Sequence, residues 1–139
     1  GPVSITLRLG TTLPLYNSAT GRAFATFYRS PYLKAMLDEE LRANSEITKT
    51  AITIIRRQFE KTLLETKEHG IARATHSLTP GINGFSAPVY DHTGNMVAAI
   101  TSLGAVGEFN VEWGNPAATA MLAAASALSH RLGFSTTAG

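Results

Sequence analysis

The amino-acid sequence predicts an α+β fold, an antiparallel sheet with helices packed on it. Three observations predict it. Strand-like and helical stretches are segregated, in the order strand, three helices, three strands, helix. Two strand-like runs are joined by His92-Thr93-Gly94-Asn95, a hairpin loop by composition, so these strands run antiparallel. The long amphipathic stretch before them stops at Gly70, where a helix end favours glycine.

Taken in order, Val3, Ile5, Leu7 and Leu9 alternate with Ser4, Thr6 and Arg8, the period of a half-buried strand. Gly10 breaks it, and Pro14 keeps Leu13 extended. Ser18 is placed to cap a short helix over Ala19–Arg29, with Ala23, Phe24 and Phe27 on its buried side. Ser30-Pro31 reads as a cap and first-turn proline for a second helix to about Ala43. Asn44-Ser45 precedes a third, Glu46 to His69, with an apolar stripe of Ile47, Ala51, Ile54, Ile55, Phe59 and Leu63. Ile71–Leu78, Ile82–Asp91 and Met96–Leu103 read as strands, with a turn at Pro80-Gly81. Asn115-Pro116 starts an Ala-rich helix to about Leu132, with Ala118, Met121, Leu122, Ala125 and Leu128 inward. Ser135–Gly139 reads as a frayed tail.

The 139 residues suit one domain with a core, and 44% apolar with 16% charged residues is a globular composition. No apolar run reaches the roughly 20 residues that span a bilayer, and no secretory leader is evident. Cysteine is absent, which removes disulfides, thiolate nucleophiles and Cys-based zinc sites. The expectation is a cytoplasmic domain without membrane contact. Net charge is +2 with dispersed basic residues; Arg56-Arg57 is soon followed by Glu60 and Glu65, a solvated helix face rather than a phosphate-tracking stripe. His69, His76, His92 and His130 show no metal-ligand spacing. There is no nucleophile elbow, phosphate loop or His-Glu-x-x-His motif. Catalytic residues, metal and cofactor are therefore expected to be none, and the chain is not read as an enzyme.

Two segments carry a resemblance. One is Leu13-Pro14-Leu15-Tyr16-Asn17-Ser18-Ala19-Thr20-Gly21-Arg22-Ala23. The other is Gly81-Ile82-Asn83-Gly84-Phe85-Ser86-Ala87-Pro88-Val89-Tyr90-Asp91, followed by Gly94 and Val97-Ala98-Ala99-Ile100-Thr101. In this order and spacing they resemble the effector-binding domain of IclR-family bacterial transcription regulators. The resemblance covers residues 1–139 and implies a GAF-like curved antiparallel sheet. It also implies that the winged helix-turn-helix, the linker helix and the first two strands are missing. Gly1-Pro2 reads as a protease scar, and the chain opens directly in a strand, as a piece of a longer polypeptide would.

A helix start at Ser18–Gly21 has a physical reason to hold an anion: unpaired N–H groups and the positive dipole end converge there. Ala19, Thr20 and Gly21 are small enough to let a ligand approach, although Ser18 as a mere cap explains the same residues. The resemblance favours the ligand, since family members hold effector carboxylates here. It further maps pocket positions onto Ala74, Gly84, Thr101 and Leu103, with Ile5, Leu13 and Ile82 as apolar walls. Alternation puts Ala72, Ala74 and His76 on one strand face, and His76 could pair with an acid or simply reach solvent. Relatives that bind small polar acids place a carboxylate, a thiol and two hydroxyls at the four positions. Here one polar side chain remains, Thr101, which points to an aromatic or medium-size carboxylic acid.

The resemblance also implies a homodimer or tetramer, DNA contact only through the absent N-terminal domain, and a small organic-acid effector. The alternative is a ligand-independent oligomerisation module, for which the smooth face of Ala117–Ala127 would serve.

Overall fold

The computed structural model describes residues 15–28, 30–43, 48–75 and 81–135. The strand expected at Val3–Leu9, and Ile5, Leu13 and His76, lie outside the described residues, and the third helix, expected from Glu46, starts at Lys49 because Thr48 is extended and caps it. The elements are α1 (Ala19–Phe27), α2 (Leu33–Arg42), α3 (Lys49–His69), β1 (Ala72–Thr75), β2 (Ile82–Tyr90), β3 (Met96–Ala105) and α4 (Pro116–Arg131). The described strands form an antiparallel sheet in the order β1-β2-β3, so the fold is α+β as expected.

Caps decide the helix limits. Ser18 Oγ accepts from the Gly21 N–H, Thr48 from Ala51, and Asn115 from Ala118, each satisfying an otherwise orphaned first-turn donor. Gly70 ends α3 in the left-handed conformation, φ 72°, which a residue without Cβ adopts at no steric cost. The second helix departs from its expected start. Ser30 accepts from Tyr32 N and Leu33 N, making Pro31-Tyr32 a turn, and regular helix begins at Leu33. The hairpin closes through Asp91, whose carboxylate accepts from the Thr93 N–H and hydroxyl, while Gly94 takes φ 84°. The Thr93 hydroxyl is the main reason the Asp91 carboxyl titrates below its usual range.

The two faces of the sheet have different partners. Phe85, Ala87 and Val89 of β2 pack with Ile71, Val111 and the Ala118, Met121 and Ala125 side of α4. This is the larger core, and Phe85 is fully buried within it. On the other face, Ala72 and Met96 meet Ala23 of α1, while Ala25 of α1 joins Leu37, Leu41 and Phe59 of α2 and α3. Helix α1 therefore lies between the sheet and α3. That position explains a departure from expectation: the residues buried on α1 are Ala19, Gly21, Ala23 and Ala25, while Phe24 and Phe27 are only half-buried. Small residues are what a helix squeezed from two sides can carry. Ile54 and Leu128, expected inward, are 51% and 38% exposed, and Thr66 and Ser129 are buried instead. Both hydroxyls bond the carbonyl one turn back, so their burial leaves no donor unpaired.

Pro88 in the middle strand has a local reason. Pairing of β1 with β2 reaches Ser86 opposite Ala72, so Pro88 falls where β1 no longer pairs with β2. Beyond it the Tyr90 N–H donates to Ser129 Oγ at 2.9 Å, so α4 supplies the acceptor that a neighbouring strand would have given. Ser129→Ala should destabilise the fold by about 1–3 kcal/mol through the unpaired Tyr90 N–H. Exposed Ser126→Ala should change stability by less than about 0.5 kcal/mol. Urea unfolding of the two variants checks this.

Candidate functional site

The site is built on the sheet face that carries α1. Register places Ala74 opposite Gly84 and Gly84 opposite Leu103, one cross-strand row. The adjoining row is Ala72, Ser86 and Thr101. The N-terminus of α1 sits over these rows. A Cβ on Gly84 would lie 3.6 Å from Ala19 Cβ and 2.6 Å from Leu103 Cδ2. Leu103 thus occupies the space that Gly84 leaves, beside Ala19.

One residue further along the helix, Thr20 Oγ1 lies 2.7 Å from Thr101 Oγ1, which donates to Ser86 Oγ at 2.9 Å. Thr101 has a single hydroxyl hydrogen, so with that proton given to Ser86 the Thr20 hydroxyl is the donor in the first contact. The chain of hydroxyls runs from half-buried Thr20 through exposed Thr101 to fully buried Ser86. Of the three expected donors at the helix start, the Gly21 N–H is committed to Ser18 Oγ at 2.9 Å. Ala19 and Thr20 occupy the first two helical positions, ahead of any intrahelical acceptor.

Sequence reasoning thus named Ala19, Thr20, Gly21, Ala74, Ile82, Gly84, Thr101 and Leu103, and the fold brings the two rows and the helix start together. Ile82 is buried on the same strand face, two residues from Gly84. Ser86 was not among the named residues, although its alternation with Ile82 and Gly84 is the signal for it. Two further residues were invisible. The Glu40 carboxylate of α2 accepts from Leu15 N at 2.5 Å and Tyr16 N at 3.1 Å. Arg22 Nε donates to Tyr16 O at 2.7 Å, and its Nη1 donates to Arg73 O at 3.0 Å. Together they pin the segment leading into α1. Burial, then the charge of Arg73, pulls the Arg22 pKa below its ordinary value.

The bacterial transcriptional regulator IclR C-terminal family model matches residues 2–130. The chain belongs to this family. IclR-family proteins are transcription regulators rather than enzymes, and this part of the family has an effector-binding role. Among solved structures, Pseudomonas aeruginosa HmgR is similar with a TM-score of 0.73 and 31% identity, over 97% of this chain and 51% of that one. The Thermotoga maritima IclR shares the fold at TM-score 0.69 and 23% identity, over 96% and 53%. The Agobacterium tumefaciens repressor BlcR does so at 0.69 and 24%, over 93% and 51%. The chain thus spans about half the length of these IclR-type proteins. No curated protein sequence matches it. Among the described residues no helix is long and apolar enough to cross a membrane.

Arg22→Met should cost about 1.5–3 kcal/mol, since the Tyr16 and Arg73 carbonyls both lose a charged donor. Arg22→Lys should recover only part of this, because an ammonium lacks the forked geometry that reaches both. Denaturant midpoints at constant m-value are the measurement.

Proposed function

We propose that this chain is the effector-sensing domain of a transcription regulator and binds an aromatic or medium-size carboxylic acid. The observation that carries this is the junction of the α1 N-terminus with the hydroxyls of Thr20, Thr101 and Ser86. The carboxylate is held at the first N–H groups of α1 and by the Thr20 hydroxyl, which turns to it from Thr101. The apolar body lies toward Ala74, Ile82, Gly84 and Leu103; the family resemblance adds Ile5 and Leu13 to the apolar positions, and strand alternation adds His76 as a partner for the acid. An effector with unequal affinity for two subunit arrangements shifts their populations. A DNA-binding domain elsewhere in the full-length protein is then respaced against its operator half-sites.

Thermal unfolding against a panel of aromatic, aliphatic and short 2-oxo acids tests this. An acid at about a hundred times its Kd adds about 2.7 kcal/mol, several degrees in Tm. A shift selective for one class, abolished by Thr20→Val or Leu103→Asp, is the expected result. No shift with any acid, in this chain or in one extended at its N-terminus, overturns the reading.

Assembly through α4 is compatible with sensing and rests on a separate observation. Ala120, Ala124, Ala127 and Leu128 are all exposed along one side of that helix. We infer a homo-oligomer contact on this side, where small residues allow close helix packing. Ala124→Glu should shift the sedimentation coefficient toward monomer and leave an acid-induced Tm shift in place.

A further inference from the structure

On the sheet face opposite the proposed effector pocket, a second cleft lies between β1, β2 and the turn after β3. It encloses about 440 Å³ and is lined by Arg73, Asn83, Gly107, Asn110 and Glu112, among others. Asn83 is 7% exposed, and its Nδ2 donates to Phe109 O at 2.8 Å. That bond fixes which way the amide points, since a flipped amide would set two carbonyl oxygens against each other. Asn83 Oδ1 is then a buried acceptor with no partner. An acceptor left so carries a standing cost that a ligand's N–H would relieve.

Arg73 supplies the complementary group. Its Nη1 donates to Val111 O at 2.9 Å and its guanidinium lies 4.0 Å over the Trp113 ring, which holds the fork in place. No carboxylate ion-pairs with Arg73 among the described residues, and the guanidinium keeps further donors. Arg73 pairs with Phe85, so Asn83 is its diagonal neighbour, about 7–8 Å away at the backbone. A ligand that serves both groups carries an anion for the guanidinium and an N–H donor for Oδ1. An α-amino acid, with its carboxylate and ammonium, carries both.

We propose that this cleft is a second small-molecule site for a free amino acid or a similar zwitterion. The carboxylate binds Arg73, the ammonium binds Asn83 Oδ1, and the exposed Glu112 carboxylate adds favourable charge at the rim. Oδ1 is shielded from water, so binding requires a local opening of the cleft wall, of which Gly107 forms part. This glycine is exposed, and a Cβ there would meet nothing within 4 Å.

The test is a titration of the 139-residue protein, labelled with nitrogen-15, with glycine and L-serine, and separately with acetate and methylammonium. The expected result is a saturable shift of the Asn83 side-chain NH2 and the Gly107 and Asn110 amides with either amino acid. The Thr20 and Gly21 amides should stay still, which separates this site from the acid pocket. Glu112→Gln, at an exposed position that should keep the fold, should weaken binding about two- to fivefold. No saturable shift at Asn83 and Gly107 overturns the proposal. So does an equal response to acetate alone, which would make Arg73 a simple anion contact.

Discussion

The close approach of α1 to the sheet is the constraint on which the rest depends. It is made possible by small residues on both sides of the contact: Ala19 and Ala23 on the helix, Ala72 and Gly84 on the strands. A larger side chain at Ala19, Ala23 or Ala72 would hold the helix off, whereas a Cβ on Gly84 would first displace Leu103. The first thing lost would be the 2.7 Å contact between Thr20 and Thr101, which has no slack. The same approach forces Ala25 to be small, since α3 presses from the other side. Such residues bury little area each, so this face contributes modestly to stability. The large side chains sit across the sheet, where Phe85, Val89 and Met121 form the main core. Stability is concentrated on one face, leaving the other free to be shaped for binding.

A helix held by small apolar contacts needs polar fixtures to set its register, and the arginine pair supplies them. Arg22 reaches the carbonyls of Tyr16 and Arg73, joining the segment before α1 to the backbone of β1. Backbone carbonyls rather than a carboxylate receive its two donors, and burial still lowers its pKa. Glu40 fixes the same segment from the α2 side through two backbone N–H groups. Arg73 then turns its own side chain to the opposite face, onto Val111 O and Trp113, whose ring also stacks on His69 at 4.2 Å. The two faces of the sheet are thereby connected through one residue of β1, backbone toward one and side chain toward the other.

Much of this was legible in the sequence, and the limits have physical causes. Asn115, Ser18, Gly70 and the Asp91–Asn95 turn act within a few residues of themselves, so local chemistry revealed them. Alternation put Ala72 and Ala74 on one strand face, and the register sets them opposite Ser86 and Gly84. Periodicity shows that a helix has an apolar side but not what presses on it. It therefore placed Phe24 and Phe27 where α1 needed alanines, and it sent Ile54 and Leu128 inward. The candidate site was named mainly by resemblance to the IclR family. Thr20 and Thr101 are 81 residues apart, and nothing local in either segment foretells their contact. Glu40 and Arg22 were missed because a charged residue on a short helix reads as solvated until its tertiary acceptors or donors are known.

The row Ala74–Gly84–Leu103 bears directly on ligand chemistry under the function proposed here. Gly84 makes room, and Leu103 fills it with a flexible branched side chain. Rotation of that side chain would open apolar volume against Ala19 without moving either backbone. Polarity is confined to the other row, where the hydroxyls of Ser86, Thr101 and Thr20 meet the helix start. A small, uniformly polar acid would satisfy the second row and leave the apolar first row without a partner. An acid with an apolar body satisfies both, because its two ends match rows that lie side by side on the same strands.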